Sequence, residues 1–218
     1  MSSFIEKLVL DIVPLAIAIV LHELSHGYVA YALGDNTAKK ANRLNLYNHF
    51  DPYGSFLIPL VMYLLNSPFL LGYAKPVPVN PRNFKNPMQD MALVAIAGPL
   101  CNFILAVFAS FWLNGQHITG ADLSIVQQSV LNFITINLAL FFFNLIPIPP
   151  LDGSRIVANF LPPEALRIFY RIEPVGFMLV MAIEFLSRNF FMMFRSQASL
   201  LHTFVHKPVM ATLELLLH

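Results

Sequence analysis

The sequence predicts an all-α polytopic membrane protein of about four to five transmembrane helices, with a re-entrant segment and short extended strands. Three observations lead there. The 218 residues are 57% hydrophobic and only 11% charged, where soluble domains carry about 25% charged residues. Several uncharged runs approach the length of about 20 residues that carries a helix across about 30 Å of hydrocarbon. The Lys and Arg residues between those runs sort the connections into two sides. No repeat, low-complexity tract or long linker divides the chain, so residues 1–218 are read as a single membrane-embedded domain.

The first span is expected over residues 8–33. It opens with Glu6, Lys7 and Asp11 rather than a positive region, and its apolar core runs into His22 and Glu23, so it reads as a retained helix and not a cleaved signal. Gly34, Asp35 and Asn36 supply its stop. Residues 91–113 contain no charged side chain and form a second span; a third is expected at 126–146, ended by Pro147, Pro149 and Pro150. A fourth, at 175–194, carries Glu184 and Arg188 four residues apart on one face, where they can pair. Residues 199–218 are apolar but interrupted by His206, Lys207 and Pro208, a pattern compatible with lying along the interface or with crossing.

Residues 56–71 are uncharged but short, and they contain Pro59, Asn66 and Pro68. Lys39, Lys40 and Arg43 precede them; Lys75, Arg82 and Lys85 follow; Arg155, Arg167 and Arg171 lie between 147 and 174; residues 114–121 hold neither Lys nor Arg. The positive-inside rule puts the first three groups in the cytoplasm and the last outside, which requires 56–71 to enter and leave by one face. Such a re-entrant segment is tolerated where protein or a water-filled cavity surrounds it; Lys75-Pro76-Val77-Pro78-Val79-Asn80-Pro81 reads as extended chain leading out, and residues 39–47 and 73–80 on its two sides are both consistent with extended structure. This topology belongs to a multi-pass protein of the inner (cytoplasmic) membrane, with the lipid bilayer as its solvent. A net charge of +1 offers no global field for nucleic acid, and none is expected as a partner.

His22-Glu23-Leu24-Ser25-His26 is an HExxH pattern within a predicted helix. Histidines at i and i+4 share a helix face, so both imidazoles can reach one zinc ion. Glu23, beside the first of them, can take a proton from the attacking water and return it to a leaving amine. Chance is the alternative explanation of such a short pattern. Here, however, two imidazoles and a carboxylate interrupt an apolar span, where each unpaired polar group costs several kcal/mol. Cys101 is the one cysteine, so no cysteine-rich module is available and any metal must be held by nitrogen and oxygen. The leading third ligand is Asp152, which follows the prolines that stop the third span. An Asp-Gly pair alone is a turn signal; only the re-entrant topology brings Asp152 to the same side as the C-terminal half of the HExxH helix.

In this order the chain resembles the site-2 protease family of intramembrane zinc metalloproteases: HExxH, then Ala97-Gly98-Pro99-Leu100-Cys101-Asn102, then Asn144-Leu145-Ile146-Pro147-Ile148-Pro149-Pro150-Leu151-Asp152-Gly153. Phe50-Asp51-Pro52-Tyr53-Gly54 and residues 74–81 are similar to a compact bacterial branch, and the short 114–124 connection leaves no room for an inserted PDZ domain. The resemblance implies a catalytic core at about 8–156 with accessory C-terminal helices at about 157–218. It implies one Zn2+ per chain on His22, His26 and Asp152, Glu23 as catalytic base, and Asn144 as a substrate-holding residue. The implied substrate is a transmembrane or membrane-tethered protein. Gly98 and Pro99 would mark helix packing.

Other readings make different demands. A membrane protease that trims lipidated termini would take a glutamate as third ligand, from Glu164, Glu173 or Glu184. A metal carrier would call for several polar helices or inverted repeats, and a client-binding relative without activity would have no use for Glu23. His49 and Asp51 are candidates for a second metal site, while His117, His202, His206 and His218 read as surface groups. The 20 phenylalanines read as lipid-facing and packing residues.

Overall fold

Pro14 sits in the first turn of helix α1 (Val13–Ala32), where the N–H it lacks has no helical partner to lose; a π-helical turn, Leu8–Ile12, leads in. In this computed structural model the described residues are 8–45, 75–116, 123–193 and 200–217, with positions 48, 53, 57, 58, 60 and 61, side chains at 8, 9, 177, 181 and 183–193 excepted. Helix α1 ends at Ala32 with Leu33 as its C-cap, and Gly34 takes the left-handed φ of 105° that turns the chain away. A short α2 (Thr37–Lys40) follows. Helix α3 (Pro87–Asn114) begins on a proline and carries Pro99 inside it. Helix α4 (Ile125–Asn144) starts on a capping box in which Ser124 and Gln127 satisfy each other's backbone N–H. Then come α5 (Asp152–Ala158), α6 (Pro163–Met193), a π-helical turn His202–His206 and α7 (Lys207–Leu216).

The chain has the expected all-α membrane fold. Three segments, Leu10–Ala32, Pro87–Asn114 and Ile125–Asn144, are long and apolar enough to cross a bilayer. Residues 175–193 of the expected fourth span belong to α6, where the side chains of Glu184 and Arg188 lie outside the described residues. Only 57, 58, 60 and 61 of the expected re-entrant segment are described, so that reading lies outside the described residues as well.

Helix α3 packs on both α1 and α4, and α1 also touches α4. Leu15, Ile19 and Val20 of α1 bury against Ile136 and Leu140; Ala106 and Leu113 of α3 bury with Ile134 and Leu138 of α4 and Val209 of α7. The C-terminal segment packs lengthwise: Leu200, Leu201 and Val205 lie by Ile146, and the Asn114 amide donates to the Leu216 carbonyl. Helix α6 presses on the turn after α4, where a methyl group at Gly176 would meet the Pro149 carbonyl oxygen and Val180 is buried with Ile146 and Leu151.

Among the described residues there is no β-strand. The reading of 39–47 as extended is corrected for its first part: Lys39 and Lys40 close α2, and Asn42 turns the chain with a φ of 56°. The reason is local. Fully buried Asp35 accepts from the Thr37 N–H at 3.0 Å, and so starts a helical turn. Asp35 also accepts from the Asn80 N–H at 2.7 Å and the Asn83 amide at 2.6 Å, clasping residues 75–83 to the end of α1. Burial opposes its ionisation, yet these donors hold its carboxyl below the usual range. Lys75–Asn80 is non-helical, as its prolines require.

Candidate metal centre

Val94, Ala97, Gly98, Cys101 and Asn102 share one face of α3 by their spacing of three and four, and that face meets the HExxH helix. The Ser25 hydroxyl donates to the His22 carbonyl at 2.6 Å and approaches the Ala97 carbonyl at 3.1 Å. His26 Nδ1 lies 2.7 Å from the Val94 carbonyl. A carbonyl can only accept, so Nδ1 carries the proton and the Nε2 lone pair points away from α3. His22 Nδ1 lies 2.6 Å from Asn102 Oδ1. Between the two imidazoles stands Gly98, where a methyl group would be 2.6 Å from His22 Nε2.

Asp152 reaches the same point from the first turn of α5. Its partner in the sequence, Gly153, is pressed on the end of α4: a methyl group there would strike the Leu145 carbonyl and come within 2.8 Å of the Ile146 oxygen. That approach turns the start of α5 inward. Asp152 Oδ2 then lies 3.1 Å from His22 Nε2 and 3.4 Å from His26 Nε2, and the two Nε2 atoms are 3.0 Å apart.

The donor set fits a zinc ion. A tetrahedral ion with bonds of about 2.0–2.1 Å keeps its ligands roughly 3.3 Å apart, close to the spacing of these three atoms. Asp152 Oδ2 is a buried oxygen with no hydrogen-bond donor of its own, a costly arrangement that a cation relieves. Among the described residues this is the one cluster of three or more such ligands.

Glu23 is half-buried, and its Oε2 accepts from the backbone N–H of Val77 at 3.2 Å, so residues 75–80 run beside the expected base. Asn144 is the last residue of α4, with its amide donating to the Leu140 carbonyl at 3.0 Å. Of the alternative third ligands, Glu173 pairs with Arg155 at 3.0 Å and Glu164 lies in the first turn of α6. His49, Asp51, His117 and His218 lie outside the described residues. Sequence reasoning missed Asn137, which is fully buried 2.8 Å from the amide of Asn102. The signal that could have found it is an asparagine at the middle of an uncharged span.

Apolar helices that close around two imidazoles and a carboxylate define a class, the membrane proteins with a metallohydrolase centre. Residues 11–124 and 116–183 match peptidase family M50, and the chain belongs to that family. It is 39% identical over 179 residues to "Putative zinc metalloprotease YwhC" of Bacillus subtilis (strain 168), covering 79% of this chain and 78% of that protein. It is 25% identical over 190 residues to "Putative zinc metalloprotease Rip2" of Mycolicibacterium smegmatis, covering 83% and 68% respectively. Rip2 of Mycobacterium tuberculosis strain H37Rv is 28% identical over 156 residues, covering 69% of this chain and 57% of that protein. No solved structure matches.

Proposed function

We propose that this zinc metalloprotease holds its ion with His22, His26 and Asp152 and cuts transmembrane or membrane-tethered proteins within the inner membrane. The observation that carries the reading is the convergence of two Nε2 atoms and the orphaned Asp152 oxygen at the depth of three apolar helices. When bound, the ion supplies Lewis acidity and makes water a nucleophile near neutral pH. Glu23, on the neighbouring part of the same helix face, is the general base and returns the proton to the leaving amine. Three protein ligands leave the open position that catalysis needs and a structural site lacks. The re-entrant path of 56–71 and the cytoplasmic placement of Asp152 are parts of the same reading, because Asp152 meets the HExxH helix only if both lie toward one face.

A substrate helix hides its carbonyls and must unwind, and its freed groups then need partners. Residues 75–80 lie beside Glu23, where they can pair with an unwound substrate by strand addition, and Asn144 holds a substrate carbonyl after its amide leaves Leu140. Substrates with Gly, Pro or Asn near the scissile bond are therefore cut faster than those with Leu or Ala there. Equal rates on uniformly helical poly-leucine segments count against the access step alone.

The ligand test is metal analysis of purified protein. Wild type should hold about one zinc per chain, and His26→Ala combined with Asp152→Ala should hold none. Full zinc in the double variant removes the assignment. Glu23→Gln should keep zinc and lose several orders of magnitude in turnover; similar activity would exclude Glu23 as base.

A further inference from the structure

Neutral histidine has two tautomers, and only one leaves a lone pair on Nε2. The distinction matters at His22. Its Nε2 lies 3.0 Å from His26 Nε2 and 3.1 Å from Asp152 Oδ2, so a proton on that atom would satisfy the cluster internally and leave it unfit to bind a cation. Something must keep the proton on Nδ1.

The geometry around Asn102 does so, and its polarity can be read from two backbone carbonyls. The Asn137 amide lies 2.8 Å from the Phe133 carbonyl. Since that oxygen can only accept, the Asn137 atom facing it is the NH2, and its Oδ1 faces Asn102. The Asn102 amide lies 2.8 Å from that Oδ1 and 3.3 Å from the Ala18 carbonyl, both acceptors. The Asn102 NH2 is thereby fixed on that side, and its Oδ1 is turned to His22 Nδ1 at 2.6 Å. An oxygen there accepts, so Nδ1 must donate. Both asparagines are fully buried on apolar helices, so these side-chain and backbone partners decide their orientation.

We infer that Asn102, oriented by Asn137 of α4, is a positioning residue that locks His22 in the Nδ1–H tautomer and so turns a lone pair of Nε2 toward the metal. His26 receives the same service from the Val94 carbonyl of α3. The pair of asparagines also ties α4, the helix that leads to Asp152, to the first ligand on α1. All three spans thus take part in setting metal affinity. This inference rests on His22 being a zinc ligand.

The test uses full-length protein in detergent, with zinc affinity measured by chelator competition and histidine tautomers read by 15N NMR of metal-free protein. Asn102→Leu should weaken zinc binding about 10–100-fold, and Asn137→Leu by a smaller factor. In wild type His22 should show the Nδ1–H pattern, and in Asn102→Leu it should shift toward Nε2–H while His26 stays unchanged. A merely structural role would lower thermal stability without moving His22 between tautomers. If Asn102→Leu does not fold, Asn137→Leu carries both measurements. Zinc affinity within about twofold of wild type, against that expected loss, with an unchanged His22 signal overturns the proposal, as does an Nε2–H pattern in wild type. His22→Ala separates the two readings: if it binds zinc as wild type does, the ligand assignment fails, whereas loss in His22→Ala with none in the asparagine variants sinks the relay alone.

Discussion

Gly98 of α3 stands against His22 of α1 so closely that a methyl group on it would lie 2.6 Å from the His22 Nε2. A non-bonded carbon does not sit that close to a nitrogen, so one imidazole or one helix must move. We expect Gly98→Ala to keep its helical content and lower zinc affinity at least about tenfold, as disturbed ligand supports do elsewhere. Chelator competition checks this. Wild-type affinity in the alanine variant would mean that the imidazoles have room to move.

The contact also shows where sequence reading stopped. His22 and His26 were legible because polar groups inside an apolar span need a reason, and Asp152 through its place after the prolines and the topology argued from the loop charges; the three side chains converge. Two of the three candidate spans were legible as uncharged lengths, and the first as an apolar length on both sides of its polar cluster. Gly98 and Pro99 were read only as helix packing, since nothing in a Gly-Pro pair says what the glycine approaches. Asn137 is one of three asparagines on α4, and what sets it apart is a partner 35 positions away in sequence. Lys39 and Lys40 were misread as extended because the turn there depends on Asp35, whose partners at Asn80 and Asn83 are remote.

Asp35 yields a prediction about pH. Its folded carboxyl is held below the ordinary value near 3.8, so the unfolded chain binds its proton more readily. The stability it contributes is fully present above that ordinary value and is lost as pH falls through the folded one. Asp35→Asn should flatten the acid limb of a stability curve, and at neutral pH cost about 1–3 kcal/mol from weakened hydrogen bonds. An unchanged acid limb in thermal melts of the variant would show that Asp35 is not the group responsible.

Gly153 should tolerate substitution poorly. A methyl group there meets the Leu145 carbonyl and lies 2.8 Å from the Ile146 oxygen, and backbone atoms cannot swing aside as a flexible side chain can. Gly153→Ala should destabilise by about 1–3 kcal/mol, as overpacking does, and draw Asp152 away from the imidazoles. Thermal melts and zinc content read the two effects. Retention of both would place the helix start under less constraint than the contact implies.

The last prediction concerns the N–H of Val77. Proline at 76, 78 and 81 removes donors from this stretch and confines Lys75, Val77 and Asn80 to extended backbone. Of the donors left, Asn80 gives its N–H to Asp35 and Val77 gives its N–H to Glu23. The chain is thus stiffened by its own composition, clasped at one end, and aims one hydrogen-bond donor at the proposed base. Val77 also packs on the HExxH helix one turn further on: a methyl group at Gly27 would lie 3.2 Å from Val77 Cγ1. Two variants separate these contacts. Val77→Pro removes the donor while keeping an extended backbone; Val77→Ala keeps the donor and removes the side chain. A hydrogen bond to a charged group contributes about 1.5–3 kcal/mol, so Val77→Pro should lower kcat/KM roughly 10–100-fold with zinc fully retained. Val77→Ala should lose less in turnover, and its loss should appear mainly in KM if this side chain helps hold the edge presented to substrate. Equal cleavage by Val77→Pro and wild type would show that the N–H does not orient Glu23 for the reaction, and the extended segment would then be left with the substrate edge as its one proposed role.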